Sequence, residues 1–215
     1  MLVPQMSMEE MIKEVKNDLP ILERKSGYHA VKLFKICSPI GAKTVIRLFD
    51  YYSKHKNKWI YKIHLSKQER TGAYITYFES EKGLCAIMPT TLANNNIHVF
   101  FLTSHFFNRY NERLQLKLIH PKDIISHFIL HNEKLQSELI KEVNQYVYEI
   151  FAVTVEGVLL GHHDTKLNVV YINTFITHDM LKGEQVDRYK HMSSLLDEFL
   201  KEKYPVNPIQ QIANK

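Results

Sequence analysis

The chain has 215 residues, of which 45% are hydrophobic and 24% are charged, as in an ordinary soluble globular protein. Its formal net charge of +5 is compatible with a polyanionic partner but does not require one. The N-terminus lacks a secretory signal, no apolar stretch is long enough to span a membrane, and the two cysteines have no metal-ligand spacing. We therefore expect a cytoplasmic protein with no membrane partner.

The first part of the chain is predicted to be helical. Residues 7–24 open with a Ser cap and acidic residues in the first turn, and their apolar side chains follow helical spacing. Pro20 is expected to end or kink this helix. Residues 41–56 are interpreted as a second amphipathic helix. Together the two segments predict an N-terminal helical extension, residues 1–57.

The next part of the chain changes to segments rich in β-branched and aromatic residues, which favour strands. Residues 80–83, Ser-Glu-Lys-Gly, have the composition of a hairpin turn. The four predicted strands are residues 59–66, 73–80, 84–90 and 97–103.

The remaining chain is predicted to be mainly helical, with one hairpin. Pro121 suits the first position of a helix. The predicted segments are helices at residues 105–114, 120–135, 137–153 and 179–204, a hairpin at 155–177 with its turn near 165–168, and a loose tail at 205–215. The pattern indicates a single α+β domain, residues 1–215, in which an antiparallel sheet is flanked by helices and preceded by the helical extension.

Three polar residues recur at every fourth position in the helix after the fourth predicted strand. His105, Arg109 and Arg113 form one line along this helix, which we call the His–Arg row. The opposite side of the helix carries the apolar residues Phe106, Tyr110 and Leu114. We expect these apolar residues to be buried and the row to be more exposed.

The His–Arg row has the groups needed to cut an RNA backbone without a metal. His105 would lie in the first helical turn, where the helix dipole and Arg109 disfavour its protonated form, so it could act as a general base. Arg109 and Arg113 present permanently charged, planar donors suited to phosphate. The row therefore predicts RNA as a partner and metal-independent RNA cleavage as an activity, with no cofactor.

A second interpretation needs no chemistry. The arginines of the row could pair with acidic side chains such as Glu112 on a solvated helix face, while His105 caps the strand end. A variant of this interpretation is a non-catalytic interaction protein, whose arginines bind the carboxylates of a protein partner or of a second copy.

The segment SHFFNRYNERL, the helix PKDIISHFI and the hairpin ending NVVYINTFIT together resemble a known arrangement. They are similar to the H-x3-R-x3-R pattern of small uncharacterised bacterial domains grouped with the RelE/barnase-like ribonuclease toxin superfamily. The resemblance covers residues 97–180 and implies a ribonuclease. The implied site residues are His105, Arg109, Arg113, and Thr174 or Thr177. The chain departs from these domains by an extra helical segment, 137–153, and by an N-terminal half without a counterpart.

Two adjacent histidines, His162 and His163, lie near the predicted hairpin turn. Adjacent side chains in a strand point to opposite faces, so only one of them could face His105. That histidine would be the candidate general acid of the RNA-cleaving site. The alternative is a polar turn end without catalytic function.

His127 and His131 are separated by one helical turn, a spacing that can bind zinc. The glutamate that follows the first histidine in zinc-protease motifs is absent, because residue 128 is Phe. The sequence therefore does not predict a metal site on this helix. A metal-dependent hydrolase that uses several histidines remains as a third functional hypothesis.

Overall fold

The structure, a computed structural model, describes residues 1–37, 44–66, 70–91, 97–132 and 135–203. Four α-helices, a 3-10 turn and nine strands lie within these ranges. The bounds in chain order are α1 (Met8–Cys37), β1 (Thr44–Tyr52), β2 (Lys58–Ser66), β3 (Arg70–Ser80), β4 (Gly83–Thr91), β5 (Ile97–Leu102), α2 (Ser104–Arg113), α3 (Pro121–His131), β6 (Gln136–Asn144), β7 (Val147–Val153), β8 (Val158–Asp164), β9 (Val169–Ile176), the 3-10 turn His178–Met180, and α4 (Glu184–Lys203).

The nine strands form one sheet in the order β1-β2-β3-β4-β5-β9-β8-β7-β6. Two antiparallel meanders, β1–β5 and β6–β9, are joined at the centre by the parallel pair β5–β9. Two parallel strands that pair with each other need a long connection between them. The connection from β5 to β9 contains α2, α3 and the strands β6, β7 and β8. The predicted α+β class, with a largely antiparallel sheet flanked by helices and an N-terminal helix, is confirmed.

The helices cover both faces of the sheet. The α2/α3 face carries a core that includes Phe106, Tyr110 and Phe128, all with 0% exposure. The opposite face, the α1/α4 face, carries α1 over the first meander and α4 over β6 and β7. Successive side chains of a strand point to opposite faces of the sheet, so neighbouring residues of one strand pack in different cores. No helix among the described residues is long and apolar enough to cross a membrane.

Both edge strands were predicted to be helical, and both predictions are wrong. Residues 41–56 contain β1, and residues 137–153 contain β6 and β7. A strand with one buried face alternates apolar and polar residues. These two edge strands lack that strict alternation. In β1 half-buried positions come in adjacent pairs, and in β6 only Ile140 is not fully exposed. Apolar residues with this irregular spacing fit a helical period equally well.

The expectation that Pro20 could end the helix is also wrong, because α1 continues through it to Cys37. The side chains on either side of it, Leu19 and Leu22, are buried in the core under α1, while Pro20 itself faces solvent. Packing of the helix onto β2 and β3 therefore outweighs the local cost of the proline. The predicted loose tail, residues 205–215, lies outside the described residues.

Candidate metal centre

The helix that carries the His–Arg row has its predicted orientation. Thr103 caps α2 through its hydroxyl, which accepts a hydrogen bond from the Phe106 amide at 3.3 Å. Phe106 and Tyr110 have no exposed surface, and Leu114 is half-buried where the helix ends. The apolar side of α2 thus lies on the α2/α3 face, as its spacing predicts.

The arginines of the His–Arg row have partners within the protein. Arg109 Nη1 lies 2.7 Å from Glu112 Oε2 on the same helix, and Arg113 donates a hydrogen bond to the Phe175 carbonyl. Both side chains are half-buried, whereas His105 is exposed. Only the Arg109–Glu112 pair is of the kind that the second interpretation expects, since Arg113 binds a backbone carbonyl rather than a carboxylate. RNA cleavage at the row stays a prediction.

The other residues expected around the row do not all converge on it. Thr174 pairs with Leu160, whose side chain packs under α4, so Thr174 lies on the α1/α4 face, away from α2. His162 lies on that same face and stacks on Tyr171 at 4.8 Å. His163 pairs with Val170 and therefore lies on the α2/α3 face. Its ring contacts His98 at 5.0 Å between ring centres.

A different set of polar side chains meets at the buried hydroxyl of Tyr110. This hydroxyl donates to Glu156 Oε2 at 2.5 Å and lies 2.8 Å from His127 Nδ1. Asn132 Nδ2 donates to the same Glu156 oxygen at 2.6 Å. Three elements therefore meet here: α2 contributes Tyr110, α3 contributes His127 and Asn132 caps it, and the β7–β8 turn contributes Glu156.

The packing of α3 fixes the positions of its two histidines. Ile125, Phe128 and Ile129 are buried against the sheet, which leaves His127 and His131 on the outer side of the helix. The Lys62 ammonium on β2 donates to the Leu130 carbonyl at 2.9 Å and ties the last turn of α3 to the sheet. His127 and His131 are consequently neighbours, with ring centres 4.1 Å apart.

The β7–β8 turn brings Glu156 to these histidines by close packing. The Gly157 carbonyl accepts hydrogen bonds from the Thr154 amide and hydroxyl at 2.8 and 3.0 Å, which closes the turn. A Cβ at Gly157 would lie 2.5 Å from the Ile176 carbonyl oxygen, so the turn docks on β9 only because residue 157 is glycine. Glu156 then points towards α3.

The hydrogen bonds determine which ring nitrogen of each histidine is free. His131 Nδ1 lies 2.9 Å from the His127 carbonyl, which can only accept, so Nδ1 carries the proton and Nε2 has a free lone pair. The Tyr110 hydroxyl gives its own proton to Glu156, so His127 Nδ1 donates to it and leaves Nε2 free as well. Metal-binding histidines are commonly oriented in this way, by an N–H bond from the nitrogen that does not bind the metal.

His127, His131 and Glu156 form what we call the His–His–Glu cluster. One candidate ligand atom from each residue lies within 4.8 Å of the others. Tetrahedral zinc with nitrogen ligands at 2.0–2.1 Å separates its ligands by about 3.3 Å. The ring nitrogens that lie near Glu156 Oε1 are His127 Nδ1 at 3.8 Å and His131 Nδ1 at 4.0 Å, so both rings would turn to bind an ion through Nε2. The side chains of His127, His131 and Glu156 are 24%, 42% and 17% exposed, so the cluster faces solvent.

The electrostatics of the cluster keep His127 neutral. Burial lowers the pKa of His127, the neighbouring His131 lowers it further, and Glu156 acts in the opposite direction. Burial also raises the pKa of the Tyr110 hydroxyl, and the Glu156 carboxylate adds to this effect. A neutral imidazole is the form that binds a metal, and a permanently protonated Tyr110 keeps donating to Glu156.

Sequence reasoning found two members of the cluster and missed the third. The helical spacing of His127 and His131 was visible, but the search for a third ligand went to residue 128, next to the first histidine. Glu156 lies in a turn of the second meander, and it reaches α3 only when β9 pairs with β5. No local pattern marks a glutamate brought in by such long-range pairing.

Comparisons of the chain with protein-family models, with curated proteins and with solved structures find no match.

Proposed function

We propose that this protein binds a divalent transition-metal ion of the zinc type at the His–His–Glu cluster and uses it in hydrolysis. The observation that carries the proposal is the cluster itself, in which one candidate ligand atom from each of three residues lies within 4.8 Å of the others. A metal-dependent hydrolase was the third function considered from the sequence. Its ligands here are His127, His131 and Glu156, and the sequence alone did not show Glu156 as part of the set.

The ligand types select the ion. Two neutral imidazoles and one carboxylate suit zinc and its first-row neighbours, whereas calcium and magnesium prefer oxygen ligands throughout. Three protein ligands leave a fourth position of a tetrahedral ion for water, which is the arrangement of catalytic zinc sites rather than structural ones. A water bound there would lose a proton near neutral pH and become a nucleophile. The solvent-facing position of the cluster gives a substrate access to that water.

The remaining polar residues around the cluster act as positioning residues. The Tyr110 hydroxyl and the Asn132 amide both bind Glu156 Oε2, so Oε1 is the oxygen left for an ion. Asn132 is itself fixed by the Phe128 carbonyl at 3.2 Å. A carboxylate restrained in this way loses little freedom when it binds a metal, which favours affinity.

Metal binding by purified protein is the direct test. After incubation with zinc and removal of excess ion, we expect about one zinc per chain, and cobalt substitution should give the visible absorption of a low-coordinate site. Glu156→Gln and His131→Ala should each lower zinc affinity by roughly 100-fold or more, beyond the loss typical of outer-shell changes. His105→Ala is the matched control, since His105 is an exposed histidine outside the cluster.

Two results would overturn the proposal. One is wild-type protein that retains no zinc or cobalt. The other is Glu156→Gln and His131→Ala variants that bind as tightly as the His105→Ala control. For the hydrolytic step, activity against a panel of carboxylate esters and phosphate esters should stop on chelation, return with zinc, and be absent in Glu156→Gln.

A further inference from the structure

The last three turns of α1 expose large apolar side chains. The buried residues of α1 end at Ala30. Tyr28 just before it and Val31, Phe34 and Ile36 beyond it are 67%, 50%, 61% and 56% exposed. At about 100° per residue Tyr28, Val31 and Phe34 lie on one side of the helix and Ile36 lies on another flank. The first three residues therefore form an exposed apolar strip of the kind that marks an interaction surface.

Positive charges surround these apolar side chains. Arg24, Lys25, Lys32 and Lys35 are all exposed, and Glu23 is the sole acidic residue in this part of the helix. The Lys25 ammonium lies 4.7 Å from the centre of the Tyr51 ring. We call residues 23–37 the basic–apolar segment. Its positive charge fits a negatively charged partner, and its exposed apolar side chains fit a partner that also has apolar surface.

We propose that the basic–apolar segment binds the surface of an anionic lipid bilayer. Tyr28, Val31 and Phe34 would enter the boundary between headgroups and acyl chains, while Lys32 and Lys35 extend to the headgroup phosphates. Anionic lipid attracts each nearby lysine, so charge and apolar burial act together. Since no described helix can span a membrane, the segment would lie on the surface rather than cross it.

A second copy of the chain fits this surface less well. A symmetric dimer apposes the same patch from each copy, so Lys32 and Lys35 would face the lysines of the other protomer. Such like-charge contacts oppose association.

The lipid-binding surface and the His–His–Glu cluster are independent sites. The basic–apolar segment belongs to the α1/α4 face, whereas His127 and His131 are carried by α3 on the opposite face. A bilayer that contacts the segment does not require the cluster to be filled, and an empty cluster does not weaken the segment. Failure of one proposal therefore leaves the other intact.

Co-sedimentation of the full chain with vesicles tests the proposal. Vesicles of phosphatidylcholine alone should pellet little protein, whereas vesicles that also contain phosphatidylserine should pellet most of it, less so as salt is added. Lys32→Glu with Lys35→Glu should reduce partitioning well over tenfold, since each lysine near an anionic surface contributes roughly fivefold. Val31→Ser with Phe34→Ser should reduce it to a similar extent.

Matched controls use exposed residues of the same types elsewhere. Ile119→Ser changes an isoleucine that is 87% exposed, and Lys182→Glu changes an exposed lysine before α4. Both should bind vesicles as the wild type does. Circular dichroism and thermal melts show whether each variant is folded.

Three results would overturn the inference. The first is equal binding to neutral and anionic vesicles, or to neither. The second is binding that survives both double substitutions in folded protein. The third is a dimer, detected by light scattering, that Val31→Ser with Phe34→Ser dissociates, because the apolar strip would then be covered by a second copy.

Discussion

The Tyr110 hydroxyl lies 2.5 Å from Glu156 Oε2 and thereby joins a fully buried helix residue to a solvent-facing turn. Burial and the adjacent carboxylate raise the pKa of Tyr110, so the hydroxyl keeps its proton and remains a donor to Glu156 at ordinary pH. This hydrogen bond connects the core under α2 to the His–His–Glu cluster. The predictions below begin from it.

Tyr110→Phe keeps the buried ring and removes the hydroxyl. We expect zinc affinity to fall about tenfold, the lower end of the range for outer-shell partners, because Glu156 and His127 lose their shared partner. The free energy of unfolding should fall by about 1–3 kcal/mol, since the His127 N–H and the Asn132 amide lose an acceptor. Zinc titration and urea unfolding measure the two effects.

Tyr189→Phe is the control for that experiment, because the Tyr189 ring packs on His178, away from the cluster. It should leave zinc affinity unchanged. If Tyr110→Phe binds zinc as tightly as Tyr189→Phe does, Tyr110 does not position the ligands.

Gly157→Ala should displace the turn that carries Glu156. The added methyl group would lie 2.5 Å from the Ile176 carbonyl oxygen and 2.6 Å from the Phe175 ring, so the backbone must move. Overpacking of this kind costs about 1–3 kcal/mol of stability. We also expect a loss of zinc affinity, because Glu156 is the next residue.

Gly72→Ala provides the comparison for Gly157→Ala. A Cβ at Gly72 meets its nearest neighbours at 3.5 Å, an ordinary contact, so this variant should bind zinc normally. Retention of full zinc affinity by Gly157→Ala, with a melt like that of Gly72→Ala, would contradict the account of the turn.

Stability should decrease as the pH falls below the histidine range. The folded-state pKa is lowered, mainly by burial, for His29, His98, His127, His163 and His178. Below the unfolded value of about 6.5 the unfolded chain binds protons that these sites resist, so the stabilisation is complete above that pH and is lost on acidification towards the lowered pKa values. Urea unfolding at several pH values measures this slope.

His127→Gln tests how much His127 contributes to the dependence of the unfolding free energy on pH. Glutamine does not titrate, so the dependence of unfolding free energy on pH should become shallower between neutral pH and mildly acidic pH. An unchanged slope would show that His127 titrates alike in the folded and unfolded chain. The same range of pH should weaken zinc binding in the wild type, because protons compete for both imidazoles.

The arginines of the His–Arg row should differ in their effect on stability. Arg113→Ala removes the hydrogen bond to the Phe175 carbonyl and should lower the unfolding free energy by about 1–3 kcal/mol, since a charged donor is lost. Arg109→Ala removes an exposed pair with Glu112 and should have little effect. If instead both variants are stable and RNA binding falls with steep salt dependence, the row is a phosphate-binding surface.

RNA cleavage, should it occur, can be assigned to one of the two sites. Cleavage at the His–Arg row should persist in a chelator, yield 2′,3′-cyclic phosphate ends, and be lost in His105→Ala by the 10²–10⁴-fold typical of a general base. Cleavage at the His–His–Glu cluster should stop on chelation and be lost in Glu156→Gln. The two substitutions therefore separate the hypotheses in one assay.

Local sequence patterns identified one helix and the inner strands. The orientation of α2 followed from the spacing of Phe106 and Tyr110, and the inner strands β2 to β5 followed from their composition. Edge strands β1 and β6 were missed because neither has a fully buried face that would impose alternation. The helix α1 was predicted only to residue 24, because the tertiary packing that extends it to Cys37 is not visible in a local window.

The candidate site was predictable only in part, for a related reason. His127 and His131 lie on one helix, so their adjacency can be read from spacing. Asn132 follows His131 directly, whereas Glu156 reaches them through the pairing of β9 with β5 and the docking of a turn, which depend on distant residues. The partners of Arg109 and Arg113 could be anticipated only for the local pair with Glu112.

The parallel pair β5–β9 has a consequence for how the protein folds. Within each meander every strand pairs with a neighbour close in sequence, whereas the central pair closes a loop that runs from β5 to β9 and is the contact most costly in chain entropy. We therefore expect the two meanders to form early and to dock late. His127 and His131 lie on α3, which packs on the first meander, and Glu156 lies in the second, so the metal ligands are complete only after docking. A bound ion would then stabilise the docked state by an amount that rises with its concentration.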